Sequence, residues 1–286
     1  MKEKFVTHPA WTRRRWLAAG SALFCSGKAV CHGRTDANDS IEGSVRRKDR
    51  HADPFRTLVA LGESTTAGGW STSRERCWVS VLGDLINDFQ SSEMQVFNSG
   101  IGANVISTRS PCYAYSGKPA ASERLDKHVI EHDPDLLVIS YGLNDARGGT
   151  PLKLFRQELL RLVDRVRASI EPLIVLLGPY YMNDFTVGGE GWSHADLALF
   201  GQFNKVIGKV AEKKDCLYVD LLSAYQETDW MIHYDGVHAN DLGHRIVANR
   251  IFEKIAQNCS GIAQQTQKAE KTSPRWRDES TLRSNY

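Results

Sequence analysis

Four residues of this 286-residue chain have the side chains that acyl transfer requires: Ser64, Asn144, Asp235 and His238. A serine hydroxyl is a weak nucleophile at neutral pH, so it needs a base to take its proton and a partner that holds the base in one tautomer. The run Asp235-Gly236-Val237-His238 offers that pair: the carboxylate can accept from Nδ1 of the imidazole while Nε2 faces Ser64. The same spacing also suits a helix cap beside a surface histidine. A tetrahedral intermediate carries an oxyanion that needs preorganised donors. The amide of Asn144, in Gly142-Leu143-Asn144-Asp145, is one candidate, and a backbone N–H of the loop Gly100-Ile101-Gly102-Ala103-Asn104 is another. An Asx turn is the plainer reading of the Asn144 segment. Ser64 itself ends the run Leu58-Val59-Ala60-Leu61-Gly62-Glu63, either presenting a hydroxyl at a sheet edge or capping a turn.

These residues can meet only if the chain brings their loops to one edge. From Arg56 to Cys259 short apolar runs alternate with helical patterns. The runs 57–62, 94–98, 135–141, 172–178 and 216–222 are rich in Leu, Val and Ile and lack alternation, as in strands covered on both faces of a parallel sheet. Between them Trp78, Leu82, Leu85, Ile86 and Phe89 recur at helical spacing, as do Leu152, Phe155, Leu159, Leu162 and Val166, the latter after a Thr150-Pro151 start signal. Helices over about 193–214 and over the last stretch, with Leu242, Ile246, Ile251 and Ile255 inward, complete the alternation. The expected fold is α/β, a flavodoxin-like doubly wound five-stranded parallel sheet flanked by helices, in which ligands bind beyond the carboxyl ends of the strands. Ser64, the Gly100–Asn104 loop and Asn144 come directly after such ends, and the Asp235–His238 turn follows the fifth strand.

In that order the blocks resemble the SGNH branch of the GDSL hydrolases, over Leu58 to about Ile255. Block one matches at Gly62-Glu63-Ser64, block two at Asn98-x-Gly100-Ile101-x-x-Asn104, block three at Gly142-x-Asn144-Asp145 and block five at Asp235-x-x-His238. The resemblance implies the SGNH hydrolase fold and a serine esterase working on carboxylic esters through an acyl-enzyme. It assigns Ser64 as nucleophile, His238 as base, Asp235 as its orienter, and the Ser64 N–H and Asn144 amide as oxyanion donors. Two departures stand out. Glu63 replaces the usual Asp, and Ala103 falls where the family has its oxyanion glycine; Ala103 still has an N–H to offer, with Gly102 in reserve.

Composition narrows the partners. The first 56 residues hold 12 Lys and Arg against 6 Asp and Glu, leaving 24 basic and 28 acidic residues beyond, so the body offers no basic face for nucleic acid. Residues 1–55 read as an export-signal-like leader and linker, 56–260 as the hydrolase domain and 261–286 as a disordered polar tail. Within the leader, Thr12-Arg13-Arg14-Arg15-Trp16-Leu17 and the apolar stretch after it resemble a twin-arginine signal, which implies an exported, periplasmic protein. No run is long enough for a membrane span. No Cys-x-x-Cys pair, Gly-x-Gly-x-x-Gly or Gly-Lys-Ser/Thr occurs, so neither metal nor nucleotide cofactor is expected. Cys77, Cys112, Cys216 and Cys259 are either free buried thiols or disulfide partners.

Aromatic loops at 70–78, 109–118 and 180–194 lie at the same edge, and Tyr113, Tyr115, Tyr180, Tyr181, Phe185 and Trp192 are candidates to stack on sugar or line an acyl pocket, or simply to pack the loops. Deacetylation of a glycan, or turnover of a lipid or other small-molecule ester, is the activity that placement suggests. Two rivals remain: a metal-dependent hydrolase built on His233, Asp235 and His238, and a silent glycan-binding domain.

Overall fold

The computed structural model describes residues 48–272. Five parallel strands, β1 (Thr57–Gly62), β2 (Gln95–Gly100), β3 (Leu136–Ser140), β4 (Leu173–Leu177) and β5 (Leu217–Val219), form one sheet in the order β2-β1-β3-β4-β5. The central strands are apolar along their middles because both faces are covered: Leu58, Val59, Leu136, Leu137, Val138 and Val175 are wholly buried. The edge strand β2 keeps polar Gln95 and Asn98, and its start shifts one residue past the expected Met94, whose N–H is taken by Asn87 Oδ1.

Ten helices accompany the strands among the described residues: α1 (Ser64–Ala67), α2 (Trp78–Asn87), α3 (Tyr113–Ser116), α4 (Ala121–His128), α5 (Leu143–Arg147), α6 (Leu152–Ser169), α7 (Leu197–Lys213), α8 (Leu221–Tyr225), α9 (Asp241–Ala256) and α10 (Gln264–Thr272). The long ones bury the stripes their spacing predicts, Phe155, Leu159, Leu162 and Val166 on α6 among them. Two details differ. Thr150 does not cap α6; its hydroxyl bonds Asp145 Oδ1, and Pro151 stands at the cap. On α9 the inward face is His244, Val247, Ala248, Ile251 and Ile255, while Leu242 is 46% exposed; its neighbour Gly243 is the residue turned inward there, packed so closely that a Cβ would stand 2.4 Å from the Met231 carbonyl oxygen.

The domain also reaches past 56–260. Arg50 donates to the Asn258 carbonyl and Gly261 to that of His51, Phe55 and Ile262 are buried, and a Cβ on Gly261 would stand 1.8 Å from the Asp53 carbonyl oxygen. Residues 48–55 and 261–272, read from composition as linker and tail, are therefore tied to each other, the latter as a turn and α10. Apolar Phe55 and Ile262 supply the buried surface that the polar composition around them hides. The twin-arginine segment and residues 273–286 lie outside the described residues.

In this sheet order the chain reverses direction between β1 and β3, which opens a crevice at their carboxyl ends. Ser64 comes after one of these strands and Asn144 after the other.

Candidate active site

Ser64 opens α1, directly after β1. Close packing forces the turn: a Cβ on Gly62 would lie 2.0 Å from Thr66 Oγ1 and 2.9 Å from the Ser140 carbonyl oxygen. As the first residue of a helix, Ser64 has an N–H outside the intrahelical ladder. Across the edge, His238 Nε2 stands 2.9 Å from Ser64 Oγ and Nδ1 stands 2.6 Å from Asp235 Oδ2. The other oxygen of Asp235 accepts from the N–H groups of Val237 and His238, both at 3.0 Å. Burial pushes the Asp235 carboxyl up, but the His238 and Val237 N–H groups and the His238 ring outweigh it and hold it below the ordinary value. Burial also draws His238 below the ordinary imidazole value, against the opposing bond and charge of Asp235. The ring is therefore neutral, and able to accept a proton, at neutral pH.

The remaining blocks brace one another. Glu63, fully buried, accepts from Leu143 N–H at 3.1 Å through Oε1 and from Asn144 N–H at 2.9 Å through Oε2. It thus fastens the first turn of α5 to β1, and burial together with the nearby Asp145 charge pushes its carboxyl up to about 8. Asp145 accepts from Ile106 N–H and from the Ser110 and Thr150 hydroxyls, and burial raises it to about 6. Asn98 donates to the Thr66 carbonyl and accepts from Gly100 N–H, joining block two to the serine helix. Gly142, at φ 124, takes a conformation that L side chains rarely adopt and starts α5 at the angle that brings Asn144 inward.

Asn144 is buried, and its Nδ2 donates to the Asn104 carbonyl at 3.2 Å, leaving the second amide hydrogen unassigned to that bond. Ala103 has φ 52, so the left-handed conformation that usually calls for glycine is held here by an L residue, at a cost of about 1 kcal/mol. Its neighbour Gly102 lies against the serine: a Cβ there would be 3.9 Å from Ser64 Cβ. Beneath this loop the buried Arg124 donates to the carbonyls of Ser99 and Gly62 and to Tyr141 Oη, and Tyr141 donates to Asn104 Oδ1. No sequence signal marks Arg124; it looks like any helix-surface arginine until the fold turns it inward.

The substrate-loop candidates divide. Tyr180 is a core residue, 4% exposed and stacked on Tyr225, and its Oη accepts from Ala239 N–H, so it cannot line an open pocket. Phe185 packs edge-on against Phe200, Tyr181 Oη bonds Asp229, and Tyr113 and Trp192 pack around Val105, Cys112 and Ala120. Tyr115 is 74% exposed. Two exposed aromatics were not legible as candidates: Trp230 at 73% and Tyr234 at 95%, the latter beside Asp235. Trp70, singled out only as part of a loop, stacks on the His238 ring at 3.4 Å. The four described cysteines are buried and free. A groove of about 600 Å³ between α2 and β2 contains none of the four chemistry-bearing residues. Among the described residues no helix is long and apolar enough to cross a membrane.

Comparison with known proteins identifies the family and the fold. The family model of the GDSL-like lipase/acylhydrolase family matches residues 60–246. An arylesterase of Vibrio mimicus is 22% identical over 206 residues, covering 70% of this chain and 88% of the relative. An acetylxylan esterase of Geobacillus stearothermophilus is 23% identical over 185 residues, covering 61% and 78%. In fold, the lipase/acylhydrolase of Enterococcus faecalis superposes with a TM-score of 0.57 at 22% identity, over 71% of this chain and 96% of its own. The four blocks fall within the matched span, and the chain belongs to the GDSL-like lipase/acylhydrolase family, as a carboxylic ester hydrolase of that type.

Proposed function

We propose that this esterase works through a Ser64–His238–Asp235 triad and an acyl-enzyme. The observation that carries the reading is the continuous chain of contacts from Asp235 Oδ2 through both imidazole nitrogens to Ser64 Oγ. His238 Nε2 takes the hydroxyl proton as Oγ attacks the ester carbonyl carbon, and Asp235 holds the proton on Nδ1 and balances the imidazolium. The N–H groups of Ser64 and Ala103 and the Asn144 amide receive the developing oxyanion. His238 returns its proton to the leaving alkoxide, then activates water to cleave the acyl-enzyme. Catalytic mutants of the Geobacillus acetylxylan esterase replace a serine, a histidine and an aspartate three positions before that histidine, the same types and spacing. Among the described residues no three His, Cys, Asp or Glu side chains are grouped so that they could hold a metal ion.

The substrate we propose is a short acyl ester, acetyl foremost, on a carbohydrate. The likeness to an acetylxylan esterase and the exposed rings of Tyr115, Trp230 and Tyr234 support it. Export through the twin-arginine-like leader would place the enzyme with such glycans. The test is acetate release from p-nitrophenyl acetate and acetylated xylo-oligosaccharides, against butyryl and octanoyl esters. The expected result is a preference for acetyl, abolished in Ser64→Ala. Glycan binding without hydrolysis of any ester would instead identify a silent binding domain.

A further inference from the structure

We infer that Trp70 is a positioning residue for the base, a planar wall that sets the angle of the His238 ring; the inference rests on His238 acting as that base. The two hydrogen bonds of His238 leave opposite sides of the ring, to Asp235 and to Ser64. They fix where the ring lies along that line but leave it free to roll about it. A roll tilts the Nε2 lone pair away from the hydroxyl and the Nδ1–H away from Asp235 together, at little change in either distance. The Trp70 indole removes this freedom: it lies 3.4 Å from the imidazole, centroid to centroid, and 5° from parallel.

The wall is itself anchored. Thr72 donates to Asp241 twice, from N–H to Oδ1 at 2.8 Å and from Oγ1 to Oδ2 at 2.6 Å, and Arg76 pairs with the same carboxylate at 3.5 Å. Ser71 Oγ stands within hydrogen-bond distance of the Gly68 and Ser73 carbonyls, at 2.7 and 2.8 Å, and its one proton closes the loop on itself. Asp241 is three residues past His238 and opens α9. The loop that carries Trp70 is therefore fastened to the segment that carries His238, and the stack forms inside a short closed circuit. The indole does a second thing when Nε2 takes the Ser64 proton: the imidazolium formed faces a π system, which attracts a cation and keeps water from that side. Since His238 occupies one face of the indole, that face is not a platform for substrate.

The test combines the rate of Ser64 labelling by a fluorophosphonate with steady-state turnover of p-nitrophenyl acetate. Trp70→Ala should label about tenfold more slowly and lose a similar factor in kcat, with KM within about twofold of wild type. Trp70→Phe, which keeps a flat ring, should recover most of both. Thr72→Val, which loosens the loop and leaves the stack chemically intact, should fall between them; it decides the matter if Trp70→Ala does not fold. Unchanged labelling and kcat in Trp70→Ala or, should that not fold, in Thr72→Val, a loss confined to KM, or a phenylalanine variant as slow as alanine would overturn the role of Trp70 while leaving the triad standing. A wild type that the probe does not label would overturn both.

Discussion

Replacing Asp235 with asparagine turns the base around, for a reason that lies in the backbone. Asp235 Oδ1 already receives two N–H groups, from Val237 and His238 at 3.0 Å each, and Oδ2 faces Nδ1 at 2.6 Å. Asparagine has a single acceptor oxygen, and the two fixed donors claim it. Its NH₂ must then point at Nδ1, which has to accept, so the ring proton moves to Nε2 and faces the Ser64 hydroxyl. The nucleophile is left without a base although no contact is lost in shape. A tautomer reversal of this kind costs about four decades in kcat, or about 5.5 kcal/mol of transition-state stabilisation. Asp235→Ala removes the carboxylate without imposing the wrong tautomer, so it should retain more activity than Asp235→Asn. The assay is kcat on p-nitrophenyl acetate for both variants, with circular dichroism and the melting temperature to verify folding. An asparagine variant within about a hundredfold of wild type, or more active than the alanine variant, would refute this reasoning.

Asn144→Ala should lower kcat by about a hundredfold or more with little change in KM, because the lost amide donor matters only once the oxyanion forms; kcat and KM on the same ester measure it. The pH profile of kcat/KM should rise as His238 loses its proton, with a midpoint below the ordinary 6.5 because burial favours the neutral ring, and should be flat by neutral pH. Glu63→Gln should destabilise the fold by about 1–3 kcal/mol, since an amide can accept only one of the two α5 N–H groups. That deficit should narrow as pH rises. A carboxyl raised from 4.5 to about 8 on folding contributes stability that is complete below 4.5 and lost through 8, and glutamine has none to lose; melting temperatures of both proteins at pH 6 and 9 measure the difference.

Much of the site was legible in the residues because the central strands are buried on both faces. The runs 135–141 and 172–178 read as strands rich in Leu, Val and Ile, and the residues after such runs line the crevice, so Ser64, Asn144, Asp235 and His238 could be read as one set. The supports could not. Arg124, Glu63 and Trp70 act through partners far along the chain, in part on backbone groups, and nothing in their own neighbourhoods records those contacts. The same holds for Leu242, whose spacing fits an inward stripe until Gly243 seats against the Met231 carbonyl. Tyr180 and Tyr115 are alike as letters in aromatic loops; only the packing of Tyr180 on Tyr225 separates a core ring from an exposed one.

The most direct test is reaction of the intact protein with a fluorophosphonate, followed by peptide mapping. A single adduct on Ser64, formed in the wild type and lost in His238→Ala, is the predicted result. An adduct on another serine, or labelling of Ser64 that proceeds equally well without His238, would contradict the assignment of nucleophile and base.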